Sequence, residues 1–95
     1  MVEYLYNAIR AVAGQEIVIN AMAVNPDETL ITANCSLVLH IENGDMIEVE
    51  GVYLEDGQWE FRVPAEATAG LTGRHWYCIQ HEGANLCFKE PIYLV

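Results

Sequence analysis

Zinc-ligating residue types gather in one short segment: His75, Cys78, His81 and Cys87. A structural zinc needs four such groups converging tetrahedrally at ~2.0–2.3 Å from the metal. The residues around them read as a strand, in which successive side chains point to opposite faces. His75 and His81 then share one face and Cys78 takes the other. With no Cys-x-x-Cys pair to complete the set, no metal site is expected. A Cys78–Cys87 disulfide is the next possibility. A four-residue turn, Glu82 to Asn85, places Cys87 opposite Gln80 and diagonal to Cys78. Diagonal neighbours lie ~7–8 Å apart, beyond the ~4.4–6.8 Å Cα separation of most disulfides. Three cysteines, Cys35 among them, also form an odd set without a secretion signal, so buried, reduced thiols are expected.

Acid–base chemistry has one pair on paper, His40 opposite Glu48, but the pattern puts both on an outward face, where a cross-strand surface contact is the ordinary outcome. Ser36 lacks the glycine-flanked elbow of a nucleophilic serine, and no glycine-rich phosphate loop occurs. No catalytic residue, metal or cofactor is therefore assigned, and the chain reads as a non-enzyme.

The elements that would carry these residues are short β-type runs broken by turn signals every ~8–12 residues. A first strand is expected within the opening twelve residues, where Tyr4, Tyr6 and Ala8 alternate. A second runs from Glu16 to Val24 and ends at the turn Asn25-Pro26-Asp27-Glu28. Cys35 to Ile41 alternates next. A two-residue turn at Asn43-Gly44 would set Leu39 against Glu48. A three-residue loop that includes Asp45 instead sets Ile41 against Ile47, Leu39 against Val49 and His40 against Glu48, which is the better pairing.

The Asp56-Gly57 turn then pairs Leu54 with Trp59 and Val52 with Phe61. Ile47 and Val49 are odd-numbered while Val52 and Leu54 are even, so a bulge at Gly51 is expected to absorb one residue. Trp59, Phe61 and Val63 form an apolar strand face ending at Pro64. Residues 64–73 connect, with room for one helical turn. Arg74 to His81 and Leu86 to Val95 complete the set. Pro91, which has no backbone donor, implies a bend or an edge position in the last strand. Trp76 and Tyr77 are adjacent and must face opposite layers, one in the core and one exposed or in an interface. These runs describe a single all-β domain spanning residues 1–95, an antiparallel immunoglobulin-like β-sandwich of about seven strands.

Fourteen acidic residues against four basic ones give a net charge of −10, which repels phosphates and makes nucleic acid or an anionic membrane an improbable partner. The longest uncharged apolar run, Ile17 to Val24, is far short of the ~20 residues a bilayer-spanning helix needs. Met-Val-Glu-Tyr-Leu-Tyr at the start lacks the basic and apolar regions of a signal peptide, so secretion by that route is not expected. Hydrophobic residues make up 53% of the chain, more than one small core accommodates. The surplus at the two ends (Tyr4, Leu5, Tyr6, Ile92, Tyr93 and Leu94) marks a candidate interface and a homo-oligomer or docked subunit.

The segment Trp59-Glu60-Phe61-Arg62-Val63-Pro64-Ala65-Glu66-Ala67-Thr68-Ala69-Gly70-Leu71-Thr72-Gly73-Arg74-His75-Trp76-Tyr77 resembles the small Ig-like accessory domains of tailed-phage virion proteins, including the N-terminal domain of upper baseplate proteins. An apolar strand leads into an Ala/Thr-Ala-Leu connection ending in glycine, followed by an aromatic strand. Ala13-Gly14-Gln15-Glu16 before Ile17 and Ile19 fits the same pattern. The resemblance implies a structural virion component (tail, baseplate or capsid surface) located in the particle or in the host cytoplasm during assembly. Its partners would be other virion proteins or itself. The alternative is an acidic β-sandwich module that binds a basic host or phage protein. Gly73 and Cys78 sit one residue out of the immunoglobulin Gly-x-Tyr-x-Cys spacing, so an antibody-type disulfide is not expected.

Overall fold

A computed structural model describes residues 2–5, 8–86 and 89–95. In chain order the elements are β1 (Val2–Leu5), β2 (Ala8–Ala11), β3 (Ile17–Met22), β4 (Cys35–His40), β5 (Met46–Glu50), β6 (Val52–Tyr53), β7 (Gln58–Val63), α1 (Ala65–Thr68), β8 (Gly73–His81), β9 (Ala84–Asn85) and β10 (Glu90–Leu94). They form two sheets. The large one runs β1-β2-β10-β8-β4-β5 with β9 also on β8, and the small one runs β3-β7-β6. Every pairing is antiparallel except β2 with β10.

Alternation builds the core between the sheets. Leu37 and Leu39 from β4, Ile92 and Leu94 from β10, and Ile9 and Ala11 from β2 face Ile17 and Ile19 of β3 and Trp59, Phe61 and Val63 of β7. Trp59 stacks on Phe61 with centroids 6.4 Å apart, and Tyr53 meets its edge at 5.5 Å. The buried indole N–H donates to the Ile31 carbonyl at 2.9 Å, so the largest core side chain leaves no polar atom unpaired. Thr68, at the end of the single helical turn, is fully buried and its hydroxyl accepts from Gly14 N–H at 3.1 Å.

Several expected pairings are displaced. The opening run is two strands, β1 and β2, folded on each other. The β4–β5 loop is three residues long but consists of Glu42, Asn43 and Gly44: Ile41 N–H donates to Asp45 O at 2.8 Å, and Asp45 N–H donates to the Asn43 side chain at 2.9 Å. Asn43 thus holds Asp45 at the start of the ladder, and the register moves by two. Leu39 faces Ile47, Leu37 faces Val49, and Glu48 lies opposite Val38. The apolar face is unchanged because the move is even.

The β6–β7 loop is likewise three residues, Glu55–Gly57, so Tyr53 rather than Leu54 pairs with Trp59. This removes the expected parity switch, and with it the bulge: Ile47, Val49, Gly51 and Tyr53 all keep the inward parity. At Gly51 the chain leaves the large sheet for the small one, its N–H still donating to Cys35 O at 2.9 Å. A Cβ there would lie 2.5 Å from Phe61 Cε1 and 2.8 Å from Trp59 Cε3. The glycine is a point of close approach between backbone and core rings, not an extra residue in a ladder.

The β8–β9 turn is only Glu82-Gly83, both with positive φ (51° and 84°), so Gln80 faces Asn85. Cys87, expected opposite Gln80, lies outside the described residues. β10 is neither bent away nor at an edge: it lies between β2 and β8. Val95 N–H donates to Ala11 O, so residues of its parity, Pro91 included, turn their backbone groups toward β2. The β2 ladder begins only at Ile92, which lets the proline sit where no donor is required.

Candidate functional site

The residues that could do chemistry are held apart. His75 is buried among the inner side chains; its Nδ1 accepts from Glu42 N–H at 3.2 Å and its Nε2 lies 3.0 Å from Thr72 O. Those two bonds fix the tautomer with the proton on Nε2 and consume both ring nitrogens. His81 has the same parity at the far end of β8, and its buried Nδ1 has no partner among the described residues. Cys78, on the opposite face, is buried beside Val38, with its sulfur 3.5 Å from His40 Nε2 and 3.5 Å from Asn85 Oδ1. Among the described residues, no three His, Cys, Asp or Glu side chains gather to hold a metal ion. Burial pushes the Cys35 thiol above its ordinary pKa, which keeps it protonated and a poor nucleophile.

His40 and Glu48 do not pair. The two-residue register displacement places His40 beside Met46 on one side and Trp76 on the other. Desolvation, then the charge of Lys89, hold its pKa below the ordinary imidazole value. Glu48 Oε2 instead accepts from Ser36 Oγ at 3.4 Å, an exposed contact without the geometry of nucleophile activation.

The terminal cluster proposed as an interface divides. Ile92 and Leu94 are 0% and 2% exposed because their parity on β10 turns them into the sandwich, so they are core and not contact residues. Tyr93, between them, faces outward at 38% exposure, and Tyr4 is 51% exposed, with its hydroxyl accepting from Asn20 N–H on β3 at 3.0 Å. Tyr6 and the side chain of Leu5 lie outside the described residues. The first and last strands share the large sheet but do not pair: β2 lies between β1 and β10, and Ala13 N–H, just beyond β2, donates to Val95 O at 3.0 Å.

The outer face of the large sheet gathers features that the individual residues did not announce. Register aligns Arg10, Tyr93 and Arg74 in one row across β2, β10 and β8. Pro91, Trp76, His40 and Met46 form the next row. The Arg74 guanidinium lies over the Trp76 ring, 5.2 Å from its centroid. Lys89 is close enough to His40 to oppose its protonation. Three of the four cations of the chain thus share this face. Both ion pairs among the described residues belong to the fourth, Arg62, bound to Glu16 at 2.9 Å and Glu60 at 2.7 Å on the small sheet. Further along the same outer face the sign reverses. Outward-facing Glu48 and Glu50, with Ser36, Asn34 and Glu82, line an open cleft of about 390 Å³ that turns in at the end of the sandwich to reach Cys35, Gly51 and Trp59. Sequence reading missed this polarity because it is a property of cross-strand alignment: Arg10, Arg74 and Lys89 are far apart along the chain.

The filamin domain of Lin-41 has a similar structure, with a TM-score of 0.67 and 16% identity over 90% of this chain and 82% of that one. The fold is an immunoglobulin-like β-sandwich. At that identity the likeness concerns the fold alone. No family model matches the sequence. No curated protein matches it.

Proposed function

We propose that this domain is a non-enzymatic structural protein that works through protein–protein contacts as a component of a bacteriophage particle, in the tail, the baseplate or on the capsid surface. The observation that carries the contact role is the outer face of the large sheet, where half-buried Trp76 and exposed Tyr93 lie among cations that no described carboxylate neutralises. Aromatic and arginine side chains grouped in this way are the usual anchors of protein interfaces. The virion setting rests on the sequence resemblance between Trp59 and Tyr77, and the immunoglobulin-like fold agrees with it. Assembly would take place in the host cytoplasm.

Quantitative mass spectrometry of particles purified from cells carrying the gene tests the proposal. A fixed number of copies per particle supports it; particles free of the chain overturn it. The acidic cleft at Glu48, Glu50 and Glu82 favours a second reading, an adaptor for a basic protein, which predicts a soluble one-to-one complex that is lost on charge reversal at those positions.

A further inference from the structure

We infer that the outer face of the large sheet is a self-association surface, with the basic and aromatic end of one copy seated on the acidic end of another. The inference does not depend on the virion setting. Arg10 and Arg74 flank Tyr93 at one end, while Glu48 and Glu50 of β5 lie at the diagonally opposite end beside Glu82. A two-fold axis lying between two such faces, across the rows of Trp76 and Val38, superposes each end on its opposite in the other copy. The contact is then isologous, both charge pairings are made at once, and the assembly closes at two copies.

Charge bookkeeping selects a second copy as the occupant. Outside this face only Arg62 is basic, and it is already paired; on this face Arg10 stands opposite Glu3 across β1 and β2, while Arg74 has no ion pair among the described residues, so exposed guanidiniums and a surplus of carboxylates occupy complementary areas of one surface. Size sets the expected strength. Four strand spacings of ~4.8 Å by six residues at ~3.3 Å give a projected footprint of ~400 Å² per copy. That is about half of a standard stable interface, so the dimer should be weak, with a dissociation constant in the micromolar range or above. At about 0.15 M salt the screening length of ~8 Å weakens the general repulsion between two acidic chains while sparing pairs in contact.

Sedimentation equilibrium of the whole chain, from micromolar to submillimolar concentration in such a buffer, is the test. The wild type is expected to dimerise. R10E/R74E and E48R/E50R, all at exposed positions, should each weaken self-association by about tenfold or more, and an equimolar mixture of the two should form a heterodimer. Thermal melting checks that each variant folds. Should losing the Arg74–Trp76 contact unfold the first variant, R10E/K89E takes its place. A wild type that stays monomeric throughout, a dimer indifferent to charge reversal, or a mixture that remains monomeric would each overturn the inference.

Discussion

Replacing Gly51 by alanine adds a single methyl group where the chain crosses from one sheet to the other. Its Cβ would lie 2.5 Å from Phe61 and 2.8 Å from Trp59, against an ordinary van der Waals separation of 3.4–4 Å. Both rings are buried and stacked on each other, so neither can swing into solvent to make room. Restoring contact distance requires a shift of about 1 Å in ring or backbone, the kind of overpacking that costs ~1–3 kcal/mol. Gly51 does not have a positive φ, so alanine gains back ~0.4–1 kcal/mol by restricting the unfolded chain. The net expectation is a loss of ~1–2 kcal/mol, or a melting temperature lower by roughly 5–15 °C for a domain of this size. Calorimetry of G51A gives the shift. A double-mutant cycle with F61L gives the mechanism, since shrinking the ring opens the space the methyl needs. The double variant should be more stable than the sum of the single losses predicts, by at least ~0.5 kcal/mol. A G51A protein as stable as wild type, or strict additivity with F61L, refutes the close-approach reasoning.

Three further outcomes are expected. Trp59→Phe keeps most of the apolar contact but leaves the Ile31 carbonyl without its donor, at a cost of ~1–3 kcal/mol in urea unfolding; a loss under ~0.5 kcal/mol would mean that the bond adds nothing. Because desolvation and Lys89 depress the pKa of His40, the unfolded chain binds the proton more readily than the folded one. Its contribution is complete above the unfolded value of 6.5 and is lost as pH falls below it, so the stability difference between wild type and H40Q should shrink on acidification from neutrality, and a flat or rising difference contradicts it. EDTA should leave the melting temperature unchanged, because His75 and His81 lie on the face opposite Cys78; a fall of several degrees would reveal a structural metal.

Strand order aside, the sequence carried the faces of the sandwich well and its registers poorly, for a physical reason. Alternation reports which side of a strand is buried, and that side survives any even displacement. Leu37, Leu39, Ile47 and Val49 were therefore placed on the correct face by a loop centred one residue too late. Register, by contrast, is fixed by a few local bonds: Asn43 holding Asp45, Tyr53 packing on Trp59, and Glu82 taking a left-handed conformation beside Gly83. Asn43-Gly44 and Asp56-Gly57 each permit two loop lengths, and a one-residue error at the second turn exchanged Tyr53 for Leu54 on the inner face. With Tyr53 rather than Leu54 opposite Trp59, no residue remains for a bulge at Gly51 to absorb.

The candidate contact surface was the least legible feature, and the reason is the same one carried a step further. A cluster of cations in a chain of net charge −10 cannot be seen in composition, because Arg10, Tyr93 and Arg74 become neighbours only when β10 inserts between β2 and β8. That insertion is also what turned Ile92 and Leu94 from expected contact residues into core. Residues of one parity on β10 anchor the last strand between the sheets, and Tyr93, of the other parity, is left to the outer face. The apolar surplus of the chain is thus divided by alternation within a single strand, and only the outward half is free to meet a partner.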